Sequence, residues 1–162
     1  MPDSILESPA AAEQIRRGLI KHEAGLRALG LLYVCGALFY ALAAAGIAFL
    51  IFLEQSTTPD RRGGLAELAF LIAALAGFSG LHLWIGQGLR QLDGRVRIAA
   101  ILTSAVGLLG FPIITLASAY FLYLLAGAKG RRVLSPEYRT IVAATPQVRY
   151  LSPWIPVLAS FC

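Results

Sequence analysis

The chain has 162 residues, of which 57% are hydrophobic and 14% charged, and its formal net charge is +5. Soluble proteins carry about 25% charged residues, so this composition excludes an ordinary soluble domain. Two cysteines are too few for a disulfide framework. The composition predicts an integral membrane protein.

Residues 1–27 precede the first apolar run and are predicted to lie on the cytoplasmic side. Ser8-Pro9 has the pattern of a helix N-cap followed by proline. Ile15, Leu19 and Leu26 then recur on one face, while Arg16, Arg17 and Lys21 are expected to project elsewhere, near anionic headgroups. This amphipathic helix either lies on the membrane surface or continues directly into the first span.

Two apolar runs are long enough to cross a bilayer, which takes about 20 residues of helix. Residues 28–53 form 26 positions without a charge, and residues 68–89 form 22 more, with His82 and Gln87 as strongly polar members. Both are predicted spans. Cys35, within the first, is expected to be a buried, reduced residue.

A third uncharged run covers residues 98–128, with Pro112 near its middle. As one helix it would be about 46 Å long, too long for a hydrocarbon core of about 30 Å without a very steep tilt. Two short spans, over residues 97–111 and 113–128, fit better. Thr115 could bond backbone groups that the proline frees.

The distribution of basic residues favours four spans over three. With the N-terminus inside, a four-span topology places 12 of the 14 basic residues on the cytoplasmic side, whereas three spans place seven on each side. Since positive residues favour the inside, we predict a four-helix transmembrane bundle with both termini in the cytoplasm.

Residues 129–162 are predicted to form a cytoplasmic tail. Ser135-Pro136 is a second helix-start pattern, and a short helix is predicted over residues 136–144. Because so short a helix is marginal alone, we expect it to pack on the bundle, the membrane or a partner, with Tyr138, Ile141 and Val142 as its docking face. The last residues, 151–162, are apolar and predicted to lie at the membrane interface.

A partial resemblance covers about residues 86–150. It rests on the stretches Gly86-Gln87-Gly88-Leu89-Arg90, Arg95-Val96-Arg97-Ile98-Ala99, Phe111-Pro112-Ile113-Ile114-Thr115 with Tyr120, Leu134-Ser135-Pro136-Glu137-Tyr138-Arg139, and Thr145-Pro146. These resemble a group of small bacterial four-span membrane proteins of uncharacterised function, in which the turn commonly reads Pro-x-Gly-Thr. Ile114 replaces that glycine here. The resemblance implies a topology and no activity.

The sequence contains no enzyme signature. It has no glycine-rich phosphate loop, paired-cysteine metal motif or serine–histidine–aspartate set, and the central portions of the spans hold no carboxylate. We therefore expect no catalytic residues and no metal site. The basic residues follow the membrane topology, so a nucleic-acid partner is not expected.

His82 is the polar exception within the spans. A neutral imidazole in a dry bundle can ligate the metal of a tetrapyrrole such as haem. The alternative is a packing histidine bonded to a neighbouring hydroxyl, with Thr103 and Ser104 as candidates. The second reading is the commoner one for a lone histidine.

Small residues recur every four positions on the first two spans, in the sets Ala37, Ala41 and Ala45, Ala69, Ala73 and Gly77, and Ala76 with Gly80. Such faces let helix backbones approach closely, either within the bundle or against another membrane protein. The positions singled out are Ala37, Ala41 and Ala45 on the first span, and Ala73, Gly77 and Gly80 on the second.

Three functions are compatible with these features. The first is a non-catalytic accessory or assembly subunit of a larger membrane complex, with other integral membrane subunits as partners. The second is a pigment- or haem-binding subunit that uses His82, and the third a small oligomeric channel or transporter. The ratio of 12 arginines to 2 lysines, with abundant alanine and glycine, indicates a bacterial inner-membrane protein.

Overall fold

A computed structural model describes residues 8–57, 65–109 and 112–149. Within these residues the fold is entirely helical, without a strand. A 3-10 turn, Gly94–Val96, separates the second and third helices. The helices are α1 (Pro9–Thr57), α2 (Leu65–Arg90), α3 (Arg97–Gly107), α4 (Pro112–Ala126), α5 (Ala128–Val133) and α6 (Pro136–Ala144).

Helix α1 is one uninterrupted rod of 49 residues, about 73 Å long at 1.5 Å per residue. The segment from Pro9 to Arg27 therefore continues directly into the first apolar run, which is the second of the two geometries considered from the sequence. Its apolar face packs inward, because Leu19 and Leu26 are buried and Ile15 packs against the same core.

Helices α1 and α2 pack as an antiparallel pair. Gly30 faces Gly86 so closely that a Cβ on Gly30 would lie 2.8 Å from the Gly86 carbonyl oxygen. Further along, Ser79 Oγ donates to the carbonyl of Ala37 at 2.8 Å. Gly30, Ala37 and Ala44 are all buried and lie seven residues apart. This spacing is the one that keeps two helices in contact over several turns.

Helices α3 and α4 form a second antiparallel pair. Gly107 lies against Ser118. Thr115 Oγ1 donates to the carbonyl of Leu108 at 3.2 Å, as its position three residues after Pro112 suggests. The uncharged run is thus broken between α3 and α4, as Pro112 predicts. The two helices are only about 16 Å and 22 Å long.

The tip of this hairpin lies beside the middle of the α1 apolar run. Phe39 and Tyr40 of α1 line the same cavity as Val106, Gly107 and Ile114. Tyr40 is 12 residues after the start and 13 before the end of residues 28–53. The hairpin therefore covers about half of that run.

The buried core lies at the end of the molecule where α1 begins and α2 ends. It joins the first half of α1 to the end of α2, the start of α3, the end of α4, and helices α5 and α6. Its most completely buried large side chains are Leu26, Leu29, Ile85, Leu89, Val96, Leu125, Val133, Tyr138 and Thr145.

The chain leaves α2 through a residue with a left-handed backbone conformation. Leu92 has a φ of 56°, Leu92 N donates to the carbonyl of Leu89 and Asp93 N donates to that of Gly88, which is the Schellman pattern. Glycine is usual at this position, but the Leu92 side chain is 2% exposed and fills the core. Burial offsets the backbone strain.

Two helices of the described residues, α1 and α2, are long and apolar enough to cross a membrane. Four full spans and the side on which the termini lie stay predictions. The expected interfacial segment 151–162, the tail before Ser8 and the turn residues Gly110 and Phe111 lie outside the described residues.

The close contact of α1 with α2 generates a first prediction. Gly86→Ala would place a methyl 2.7 Å from the Gly30 carbonyl oxygen and 2.8 Å from a Val34 methyl. We expect it to lower the free energy of unfolding by about 1–3 kcal/mol, measured by denaturant titration in detergent.

Gly77→Ala is the matched control, since a Cβ there meets nothing within 4 Å. It should leave stability unchanged or raise it by up to about 1 kcal/mol through helix propensity. Equal effects of the two substitutions would contradict the close packing of Gly30 on Gly86.

Candidate functional site

The small residues predicted as a helix face on α1 divide between two environments. Ala37 is 4% exposed and packs against Ser79 of α2. Ala41 and Ala45 are exposed. The buried positions follow the seven-residue spacing of Gly30, Ala37 and Ala44, so the four-residue pattern diverges from the α2 contact after its first member.

The small residues predicted on α2 lie away from the side of α2 that faces α1. Ala73, Gly77 and Gly80 are exposed, and a Cβ on either glycine would meet nothing within 4 Å. Ser79 contacts Ala37 and His82 contacts Gly36, so the side of α2 that faces α1 is a different one. The predicted face is available on the surface.

Beyond the hairpin tip, α1 and α2 are covered by no other described helix. Each of the two helices contains an apolar stretch of 18 residues, and few of these residues are buried: 11% in α1 and 6% in α2. Exposed here, besides the small residues, are Leu42, Phe49, Leu50, Phe52, Phe70 and Leu71. We call the exposed residues of α1 after Tyr40 and of α2 before Leu81 the uncovered surface.

His82 lies between α1 and α2, beside a groove of about 510 Å³ that the hairpin helps to enclose. The Tyr33 and Tyr40 rings lie 5.3 Å and 5.0 Å from the imidazole, and the Gly36 backbone lies against its Cδ2 edge. Nδ1 donates to the carbonyl of Phe78 in its own helix at 2.9 Å, so Nε2 carries the lone pair.

The hydroxyls suggested as partners of His82 bond elsewhere. Thr103 Oγ1 donates to the Ala99 carbonyl within α3, and Ser104 Oγ lies 3.3 Å from the Tyr33 hydroxyl. The imidazole already contacts the rings of Tyr33 and Tyr40 and packs against α1 at Gly36. These contacts favour a packing role for His82.

Cys35 was expected to be buried, but it is exposed and lies on the wall of the same groove. The reason is that α2 contacts α1 at Val34 and Ala37, on another side of the helix. Among the described residues no group of three or more histidine, cysteine or carboxylate side chains could hold a metal ion.

The residues predicted as a cytoplasmic docking face are occupied by the chain itself. Tyr138 and Ile141 are 1% and 7% exposed, and Val142 packs against the same core. As its length requires, α6 is packed, but its partner is the first half of α1. Of the packing partners expected for this short helix, these side chains therefore contact the chain's own bundle.

A buried ion pair on α1 holds α6 in place. Arg16 and Glu23 are 6% and 4% exposed, and two guanidinium nitrogens of Arg16 donate to the two Glu23 oxygens at 3.2 Å each. Arg16 Nη1 also donates to the Val142 and Thr145 carbonyls at the end of α6. The expectation that Arg16 reaches headgroups is wrong, because α6 covers it.

Glu23 accepts two further contacts. The Tyr138 hydroxyl donates to Glu23 Oε2 at 2.9 Å, and Arg27 Nη2 lies 2.9 Å from Oε1. Burial, together with the negative charge of Glu23, raises the pKa of the Tyr138 phenol above its ordinary value of 10.0. The phenol is thus held in its neutral, donating form.

Sequence reasoning missed Glu23, Gly30 and Gly86 as organising residues. A signal existed for Glu23, which lies seven residues after Arg16 and hence on the same helix face. A signal also existed for Gly30, since Gly30, Ala37 and Ala44 repeat every seven residues.

Comparison with known proteins finds no matching family model, no matching curated protein and no matching solved structure. The class that the fold defines is an all-helical protein with two helices long enough and apolar enough to cross a membrane. The resemblance to small four-span membrane proteins stays a prediction.

The buried phenol generates a second prediction. The pKa of the Tyr138 phenol is higher in the folded protein than in the unfolded chain, where it is about 10. The contribution of this phenol to the free energy of unfolding is therefore complete below pH 10 and is lost as the pH rises above 10 towards the folded pKa. We expect the wild-type melting temperature in detergent to fall more steeply between pH 9 and pH 11 than that of Tyr138→Phe, by the equivalent of about 1 kcal/mol.

Tyr123→Phe, at an exposed tyrosine, is the control and should keep the wild-type pH profile. Identical profiles for the wild type and Tyr138→Phe would contradict a raised pKa of the Tyr138 phenol in the folded protein.

Proposed function

We propose that this protein is a non-catalytic accessory or assembly subunit of a bacterial inner-membrane complex, and that the uncovered surface binds the helices of another integral membrane subunit. The supporting observation is that the small residues Ala41, Ala45, Ala73, Gly77 and Gly80 are exposed, and are not consumed in packing α1 on α2. Small residues are what close approach of a foreign helix needs.

The proposed topology has both termini in the cytoplasm, with α1 and α2 as full spans. The α3–α4 hairpin then enters from the cytoplasmic side and turns near the middle of the membrane. Support comes from the lengths of α3 and α4, both well short of about 30 Å, and from the position of the hairpin tip beside Tyr40.

This topology strengthens the need for a partner. Leu109, at the hairpin tip, is 89% exposed, and a chain reversal facing lipid leaves backbone groups without hydrogen-bond partners. Irregular backbone at that depth is stable only where protein or a water-filled cavity covers it. A partner helix seated above the tip, against the uncovered surface, supplies that cover.

The interaction generates a third prediction. Ala41→Phe should block close approach of the partner helix without preventing insertion, since phenylalanine is at home in lipid. Native gels of gently solubilised membranes should show a large assembly for the wild type and a smaller species for Ala41→Phe.

Gly46→Phe is the matched control. It adds a phenyl ring at an exposed position of the uncovered surface that lies about 140° around α1 from Ala41, away from the side with Ala41 and Ala45 that the partner helix is proposed to approach. The assembly should survive it. A wild-type protein that runs only as a monomer, with no co-purifying subunit under several mild extractions, would contradict the proposal.

The topology generates a fourth prediction. A periplasm-dependent reporter fused after Thr58 should be active, and fusions after Gly94 and Ser135 should be silent. Leu109→Cys, in a variant without Cys35 and Cys162, should resist a membrane-impermeant thiol reagent added from outside.

The second half of this experiment separates a half-depth hairpin from four full spans. Labelling of Leu109→Cys from the outside would place the hairpin tip at the outer surface and restore four spans. Activity of the Ser135 fusion would overturn a cytoplasmic C-terminus.

A further inference from the structure

A cleft of about 550 Å³ lies between the start of the α1 apolar run and the end of α2. Four polar side chains line it: Arg27, Gln87, Arg90 and Gln91. No acidic side chain is among the described residues that line it. Arg27 directly precedes residue 28, where the uncharged run begins, so the cleft lies at the boundary between apolar and polar surface.

The Arg90 side chain reaches this cleft across Gly30. The Arg90 stem crosses Gly30, where a Cβ would lie 2.9 Å from Arg90 Cγ. Gly30 therefore opens the path that brings the Arg90 guanidinium towards Arg27, one helical turn earlier on α1. Any larger residue at position 30 would push the Arg90 stem away.

The charges in and behind the cleft are unbalanced. Arg27 is paired with Glu23, but the same carboxylate also pairs with Arg16. Arg90 makes no ion pair with any described residue, and the side-chain amides of Gln87 and Gln91 make no hydrogen bond there. The surroundings of the cleft thus have an excess positive charge and unused donors, which suits an oxyanion.

Apolar surface continues from the cleft along both helices. Leu31 lies four residues after Arg27 on α1, and Leu83 lies four residues before Gln87 on α2, so each is on the same helix side as the polar residue. The two leucines are 53% and 42% exposed. An anionic head in the cleft therefore has apolar surface beside it on the membrane side.

We propose that this cleft binds the phosphodiester headgroup of an anionic phospholipid, with the acyl chains along Leu31 and Leu83. The proposal rests on the membrane placement of α1 and α2. Charge complementarity and the boundary position identify the occupant, since anionic lipids provide a phosphate at this depth on the cytoplasmic side. Arg27 and Arg90 contact the phosphate, and the glutamines donate to its remaining oxygens.

The test uses the full chain in a neutral detergent, titrated with phosphatidylglycerol or with phosphatidylcholine and analysed by native mass spectrometry. The wild type should retain one phosphatidylglycerol in preference to phosphatidylcholine. Arg90→Gln should weaken phosphatidylglycerol binding by about tenfold, the effect of losing one charge-assisted contact. Arg27→Gln should weaken binding by a similar factor. Arg90→Gln is the cleaner variant, because Arg27 is also paired with Glu23 and Arg90 is not.

Arg131→Gln is the matched control, because it removes the same charge from an exposed position outside the cleft. It should leave affinity within about twofold, as expected for a residue without contact to the headgroup. If Arg90→Gln and Arg131→Gln lose equal affinity for phosphatidylglycerol, with unchanged melting temperatures, the lipid is attracted by the overall positive charge and not by this cleft. That result would overturn the proposal.

Excess inorganic phosphate distinguishes the two sources of the same chemistry. It should not displace phosphatidylglycerol, because the acyl chains contribute to binding. Displacement would assign the cleft to a free phosphate and overturn a lipid site, as would equal binding of phosphatidylcholine.

Discussion

The buried ion pair of Arg16 with Glu23 is the constraint on which the core depends. Two charges removed from water destabilise a fold unless each finds several good partners. Here the guanidinium contacts Glu23 through two nitrogens and bonds carbonyls at the end of α6, while the carboxylate also accepts from Tyr138 and Arg27. Because the pair is seven residues apart, it forms only if α1 stays helical through both positions, so one interaction fixes the first half of α1 and the seat of α6.

Two kinds of packing divide the molecule. At the core end, short helices surround α1 and α2, and the polar groups between them are bonded to one another. At the other end the same two helices carry large apolar side chains on nearly every side. In water that surface would be a severe liability, whereas in lipid it is the ordinary state of a span. Apolar burial does not drive association in lipid, so close backbone approach, as at Gly30 and Gly86, must hold the pair together.

Composition and hydropathy were sufficient for the elements that depend on local sequence. They predicted the two long apolar helices, the break at Pro112 and the capped helix α6. They were not sufficient to predict which helix surfaces pack against each other. The pattern of Tyr138, Ile141 and Val142 marks an apolar face equally well whether its partner is another protein or α1. Likewise a small-residue face at Ala41 is visible in the sequence, but a seven-residue repeat through Gly30 and Ala37 decides where α2 packs.

The continuity of α1 links the uncovered surface of the molecule to its core. Arg16 and Ala41 lie on one helix, about 37 Å apart at 1.5 Å per residue. No described turn or break lies between them, and α2 and the hairpin brace the intervening segment. A partner bound to the uncovered surface would therefore fix how α5 and α6 stand relative to that partner without touching either helix. The cleft of Arg27 and Arg90 lies between the two ends, and in the proposed topology it is at the level where the surroundings of the rod change from lipid to water. Fixing a headgroup there would set how deeply the rod inserts, and with it the depth at which the uncovered surface meets another subunit.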